Sequence, residues 1–332
     1  MRVGRINAAF PPARLCAGLF AWLLLAWLAG CAQMVPQTVA LRSDWPSGVP
    51  RTVELTSVPF FPQEDYQCGP AALATVLTHS GVPISPDPLV SQVFLPGRQG
   101  SLQIEMLAAP RRYGRVSYPL ARQYSDLLRE VAAGNPVIVL QDVGLMLTQW
   151  HYAVVNGFDY PSGTVYLRSG TMPRLELPFT GFERSWMKSG YWAMVVTQPD
   201  RIPVTATEDG WLAAVLAMAR VDHGEAATRA YAATLKRWPD NLPAAIGLAN
   251  QYHARGALAD AAAVLREAGR RHPQSVIVIN NLAQTLSDQG HQAEALALIE
   301  NASDPNNPFA AEVRATHQLI LQRISQKKAG DR

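Results

Sequence analysis

The residues most able to do chemistry lie between Val58 and Leu77, where Gln63 precedes the run Cys68-Gly69-Pro70-Ala71. Gly69 permits a sharp turn, Pro70 suits the first turn of a helix, and Ala71 to Leu77 continues in helix-forming residues. Cys68 is therefore expected at a helix N-terminus, where unsatisfied N–H groups and the helix dipole favour a thiolate. The thiolate is the nucleophilic form of cysteine. Gln63 lies five residues upstream, and its amide can donate a hydrogen bond to the oxyanion formed when a carbonyl is attacked. A general base is also required. His151, in Trp150-His151-Tyr152-Ala153-Val154, stands at the start of an expected strand. His79 closes the Cys68 helix, and His223, His253, His272, His291 and His317 fall in the helical C-terminal part. Cys68, His151 and Gln63 together point to acyl transfer through a thioester.

Three cysteines occur, and each has a different expected fate. Residues 1–30 carry Arg2, Arg5 and Arg14, no acid, and an apolar core over 15–28, the pattern of a secretion signal. Leu28-Ala29-Gly30-Cys31 resembles a bacterial lipobox, which implies cleavage before Cys31 and lipid on its sulfur. Ala32 resembles the sorting pattern for the outer membrane, so a lipid anchor facing the periplasm is expected. Cys16 then leaves with the signal, and Cys68 remains the single free thiol.

The elements that must position Cys68 and His151 read as α+β. Residues 31–57, with Pro36, Pro46, Gly48 and Pro50, read as a tether. A domain over 58–198 is expected to hold helices over 69–79, 102–113 and 125–133, then strands over 136–141, 152–158, 164–168 and 191–197. Helices first and strands later argue for α+β rather than alternating βαβ units. Asp159 to Gly163 reads as a hairpin turn, and Gln198 to Pro203 as a linker.

Beyond the linker the composition becomes alanine-rich and repeats. Leu248, Ala249, Gly256, Ala261 and Ala268 recur 34 residues later as Leu282, Ala283, Gly290, Ala295 and Ala302. Ala227 marks a degenerate first copy. The period resembles the tetratricopeptide repeat and places an all-α repeat domain over 205–325 that binds a protein partner and does no chemistry.

Of the 332 residues 48% are hydrophobic and 17% charged, enough for packed cores. The net charge is +3, and the three arginines of residues 1–30 account for it, leaving 26 basic and 26 acidic residues. Such a balance carries no electrostatic footprint for nucleic acid. No Cys or His spacing suggests a metal site, and no cofactor is expected. Residues 96–101 read as a capping loop with Ser101 as N-cap, not as a phosphate cradle.

Gln63, Cys68-Gly69-Pro70-Ala71-Ala72-Leu73 and, about eighty residues later, His151-Tyr152-Ala153-Val154-Val155-Asn156-Gly157-Phe158-Asp159 resemble the bacteriocin-processing cysteine peptidases. The resemblance implies a papain-like domain, its cysteine helix packed on an antiparallel sheet. It also implies Cys68 as nucleophile, His151 as general base and Gln63 as oxyanion donor. Two departures stand out. The glutamine is five residues before the cysteine rather than six, and Ser169 occupies the position of the family's Asp-Pro aspartate that orients the histidine. Asp159, eight residues past His151, is about 26 Å away along an extended strand, and Asn156 faces the other side. Ser169 is left as the orienting group.

The expected function is therefore membrane-anchored hydrolysis of a peptide or protein substrate. Two rivals remain: a catalytically silent peptide-binding lipoprotein, and a transpeptidase using the same acyl-enzyme.

Overall fold

The computed structural model describes residues 35–63, 67–98, 100–144, 146–221, 224–302 and 307–330. The signal segment, Cys16, Cys31 and His223 lie outside the described residues.

A seven-stranded antiparallel sheet forms the centre of the N-terminal domain. Its strands are β1 (Thr52–Glu54), β4 (Val116–Pro119), β5 (Val137–Asp142), β6 (Trp150–Asp159), β7 (Thr164–Ser169), β8 (Met172–Pro178) and β9 (Ala193–Thr197). The order is β4-β9-β5-β6-β7-β8, and β1 pairs with the far end of β6, beyond the reach of β5. A small hairpin, β2 (Phe94–Leu95) with β3 (Gly100–Ser101), stands apart.

Alternation along the strands builds two cores. Ile138, Leu140, Tyr152 and Val154 face one side, against α2 (Cys68–His79), α3 (Asp87–Val93) and α4 (Gln103–Ala108). Val137, Val139, Ala153 and Val155 face the other, against α5 (Tyr124–Ala132) and α6 (Phe179–Met187). The helix α2 is buried over nearly its whole length, from Gly69 to Leu77, as its run of small and apolar residues requires.

Several expectations change here. The segment expected to be a tether is folded: α1 (Pro36–Ser43) buries Thr38 and Leu41, and β1 joins the sheet. The physical reason is a buried acid. Glu183 of α6, fully buried, accepts hydrogen bonds from the free N–H groups of Gln37 and Thr38 at 2.9 and 2.6 Å, and from the Tyr191 hydroxyl at 3.2 Å. Strands β4 and β8 and helix α6 had no clear sequence signal, because Pro119, Pro173 and Pro178 disguise the strands. Ser101 does not cap a helix. It ends β3, and Leu102 occupies the N-cap without a side-chain bond.

The C-terminal region is all helical: α7 (Glu208–Ala219), α8 (Gly224–Arg237), α9 (Leu242–Ala254), α10 (Leu258–Arg271), α11 (Val276–Asp288), α12 (Gln292–Glu300) and α13 (Ala310–Gly330). The leucine and alanine positions that repeat at 34 residues are buried. Ala261 and Ala295 are fully enclosed, as are Ala249 and Ala283 within 1%. Gly256 and Gly290, at φ +73° and +85°, end α9 and α11 in the left-handed conformation that a side chain would oppose. The region fits tetratricopeptide-like repeats.

Residues 198–203 do not form a free linker. Glu130, fully buried on α5, accepts bonds from the Thr205 N–H and hydroxyl at 2.7 and 2.6 Å and from Asn135 at 2.6 Å. One apolar cluster then runs from Val116 and Tyr118 of β4 through Trp211 and Val215 of α7 to Leu248 of α9. Two parts that composition separates are thus one packed body.

Replacing Glu183 by Ala leaves two helix N–H groups and a tyrosine hydroxyl without their acceptor. A loss of about 2–4 kcal/mol is expected, given the usual worth of hydrogen bonds to a charged group and the cost of stranding their partners. Urea unfolding reads this directly, together with earlier proteolysis within residues 36–44. An unchanged midpoint would show that α1 docks by apolar contact alone.

Candidate active site

Cys68 is the first residue of α2, and Pro70 and Ala71 behind it are almost fully buried. Gly69 is required by close packing: a Cβ there would stand 2.3 Å from the Ser101 hydroxyl and 2.7 Å from its Cβ. The hairpin β2–β3 can therefore lie directly on the helix start. The Tyr152 hydroxyl donates to the Ser101 carbonyl at 3.2 Å, and its ring meets Trp192 edge-on at 5.7 Å, which fixes the same wall from the sheet side.

His151 is the second residue of β6, opposite Gln141 of β5. Its Nε2 lies 2.9 Å from Ser169 Oγ. On the other side of β6, Val154 opposes Arg168, and Ser169, the next residue and the last of β7, brings its hydroxyl to the ring. Arg168 points away from the ring. Its guanidinium donates to the carbonyls of Val58, at 3.1 and 3.2 Å, and Pro173. Asp159 is occupied elsewhere, accepting from Thr52 and Ser162 at 2.7 and 2.6 Å, and Asn156 is buried against the Leu55 carbonyl.

Gln63 is held by its backbone, whose N–H donates to the Gly170 carbonyl at 3.1 Å, just past β7. Gln63, Cys68 and His151 all open onto one groove of about 1160 Å³, walled also by Ser101, Leu102 and Trp150. A smaller cavity of about 450 Å³ lies away from these residues, beside Leu41 and Tyr160. Among the described residues no three His, Cys, Asp or Glu side chains cluster to hold a metal.

The electrostatics differ from the sequence expectation. Burial pushes the Cys68 thiol up, against the backbone N–H groups of Tyr152, Gly69 and Cys68 itself, which act to lower it. Burial pushes the His151 imidazole down. The helix-start position alone predicted a lowered thiol. The apolar packing of α2 outweighs it, because desolvation penalises the charged form over the whole enclosed surface. Burial thus favours the uncharged form of each group. In the tautomer whose Nε2 donates to Ser169, Nδ1 carries the free lone pair.

Sequence reasoning missed three participants. Tyr152 was seen only as a strand residue, yet its N–H points at Cys68. Ser101 was read as a cap. Asp142 was passed over: its Oδ1 accepts from the N–H groups of Gly144 and Gln149 at 3.0 and 2.9 Å, and its Oδ2 meets Lys188 at 3.1 Å. These bonds hold Asp142 below the usual carboxylate range and close the neck of the loop that leads into Trp150 and His151. The turn-forming type of Asp was the available signal.

Residues 55–194 match the family model described as "Peptidase_C39 like family". This is a C39-like domain. A C39-like peptidase from Bacillus anthracis is 19% identical over 45% of this chain and 98% of its own, with a TM-score of 0.38. A double-glycine-motif protease from an AMS/PCAT transporter, solved with its leader peptide, is 21% identical over 43% of this chain and 93% of its own, with a TM-score of 0.33. The TPR2B domain of yeast Sti1, solved with an Hsp70 peptide, is 18% identical over 35% of this chain and 97% of its own, with a TM-score of 0.33. No curated protein matches the chain. The C39-like domain carries its cysteine on α2 and its histidine on β6, a papain-like arrangement of helix on antiparallel sheet.

The two shifts have measurable signs. With the thiol above its ordinary value, alkylation of Cys68 by iodoacetamide should be slow at pH 7 and still rising between about pH 8 and 10. An imidazole held below its ordinary value contributes stability that is present above about pH 6.5 and lost as the unfolded histidine gains its proton below that. A labelling rate that is flat from pH 5 to 8 would instead reveal a thiolate–imidazolium pair.

Proposed function

We propose that this chain is a cysteine peptidase that hydrolyses a peptide bond of a peptide or protein substrate. The observation that supports the reading most is the opening of Gln63, Cys68 and His151 onto one groove, with Ser169 Oγ 2.9 Å from the outer nitrogen of the histidine. Cys68 passes its proton to His151 Nδ1 as the sulfur attacks the substrate carbonyl. The oxyanion accepts from the Gln63 side-chain amide and from backbone N–H groups at the start of α2. The imidazolium then protonates the leaving amine, which departs as the thioester forms. Water, deprotonated by the same imidazole, attacks the thioester and returns the thiol. Burial makes the first proton transfer costly in the empty groove, so attack is coupled to substrate arrival.

Cys68→Ala and His151→Ala should each abolish hydrolysis of a fluorogenic peptide, while Ser169→Ala should retain about a tenth of the rate, a loss of about 1–2 kcal/mol for a neutral hydrogen bond. Ser169→Asp should keep or raise the rate. Arg168 is already committed to the carbonyls of Val58 and Pro173, which leaves the new carboxylate to the ring. No turnover in any form, with peptide still bound, would favour a silent peptide-binding domain. Transfer of the acyl group to an added amine faster than to water would favour a transpeptidase.

The chain is further proposed to be a lipoprotein held at the outer membrane through Cys31 and facing the periplasm, with its repeats binding a protein partner. Among the described residues no helix is long and apolar enough to cross a membrane. Cys31→Ser should release the chain from membranes after a high-salt wash and leave Cys68 chemistry intact. Retention in the membrane fraction would place the anchor elsewhere.

A further inference from the structure

The loop between β5 and β6 leads straight into Trp150 and His151, and it is apolar where it is most exposed. Met146 is 97% exposed, Leu147 85% and Trp150 51%. Such residues are rare in company at a surface unless something covers them. Next to this loop stands the end of α6. Lys188 touches Asp142 at 3.1 Å, at the neck of the same loop, and Met187 beside it is also exposed. Arg184, one turn earlier on α6, shares the face of Lys188 and is exposed. Asp142, the acid in contact with this patch, is nearly buried and committed to Lys188 and two backbone N–H groups.

The described chain begins at the same end. Gln37, near the start of α1, donates from its side chain to the Arg122 carbonyl at 3.1 Å and from its backbone to Glu183 at 2.9 Å. Glu183 is five residues before Lys188, about 7–8 Å along α6. Arg122 is exposed, and its guanidinium comes within 3.8 Å of a Cβ built at Gly190. Only three residues separate Cys31 from Val35, four steps with a reach of about 14 Å at most. Because α1 is docked rather than loose, no long tether lifts the domain away from whatever holds Cys31.

We propose that this end of the C39-like domain rests on an anionic lipid surface. Met146, Leu147 and Trp150 enter the boundary between headgroups and acyl chains, and Arg122, Arg184 and Lys188 lie against lipid phosphates. Apolar and aromatic side chains flanked by cations are the chemistry of interfacial binding, and each cation near an anionic leaflet adds attraction that salt screens. The active-site groove, which Trp150 and Lys188 both line, then opens along the membrane. Substrates would be segments presented at that surface. The short-reach part of the argument rests on Cys31 as the lipid-bearing residue; the patch itself does not.

The test uses the chain from residue 31 onward with Cys31→Ser, which carries no lipid; the buried core among the described residues lies between Val35 and Ile320 and is kept. Sedimentation with vesicles of phosphatidylethanolamine and phosphatidylglycerol (3:1) should capture this protein. Pure phosphatidylcholine should capture several-fold less, as should the anionic vesicles in 0.5 M salt. Met146→Asp with Leu147→Asp should lower binding to the anionic vesicles at least fivefold at unchanged melting temperature. Cys68→Ala should bind as the parent does, which separates this proposal from the peptidase reading. Absence of binding to any vesicle, or equal binding by the Met146→Asp/Leu147→Asp variant, overturns the proposal. So does a variant that binds vesicles normally but no longer cleaves peptide, since the loop would then be a rim for substrate side chains.

Discussion

Consecutive side chains on a strand point to opposite faces, and the candidate site hangs on that constraint at the start of β6. His151 turns to the face it shares with Ser169. Tyr152, the next residue, turns to the other face, where its ring packs among the residues under α2 and its hydroxyl holds Ser101. Its backbone N–H meanwhile reaches the Cys68 sulfur. One pleat therefore sets the orientation of the base, the seat of the nucleophile and one wall of the groove. The strand can hold this geometry because β5 and β7 pair with it on both sides.

Burial works in two directions at once. The enclosure that aligns α2 with the sheet also strips solvent from Cys68 and His151, raising one and lowering the other, so that each is pushed toward its uncharged form. A helix N-terminus exerts a local pull on a thiolate, but it acts over the first turn, whereas desolvation acts over the entire buried surface of the group. A site of this kind keeps its nucleophile protonated in an empty groove. The same exclusion of water strengthens every hydrogen bond that a bound carbonyl would receive there.

Two fully buried carboxylates give the chain its unity. Glu183 gathers the start of α1, and Glu130 gathers the segment that enters the repeats. Buried acids are tolerable when all their partners are present, and each of these is met by several donors. The consequence for function is positional. The start of α1 and the first repeat helices are fixed with respect to the groove.

Much of the site was readable from local chemistry. Cys68-Gly69-Pro70 announces a helix start, His151 lies in a run of β-formers, and the 34-residue recurrence of Leu248, Gly256 and Ala261 announces paired helices, because each signal depends only on neighbours in the chain. Ser169 was reachable through the family resemblance, which puts it where the orienting aspartate stands; strand geometry served only to exclude Asp159 and Asn156. Other features were not readable. Residues 36–54 look like a tether because their proline and glycine content is a local property, whereas their folding depends on Glu183, about 145 residues away. The protonation of Cys68 was misjudged for the same reason: the N-terminal helix position is written beside the residue, but the burial that opposes it comes from β6, β3 and α4, brought together only by the fold. Periodicity and turn chemistry are short-range and survive in one dimension. Desolvation and buried-charge satisfaction are sums over neighbours in space, and only the tertiary structure decides them.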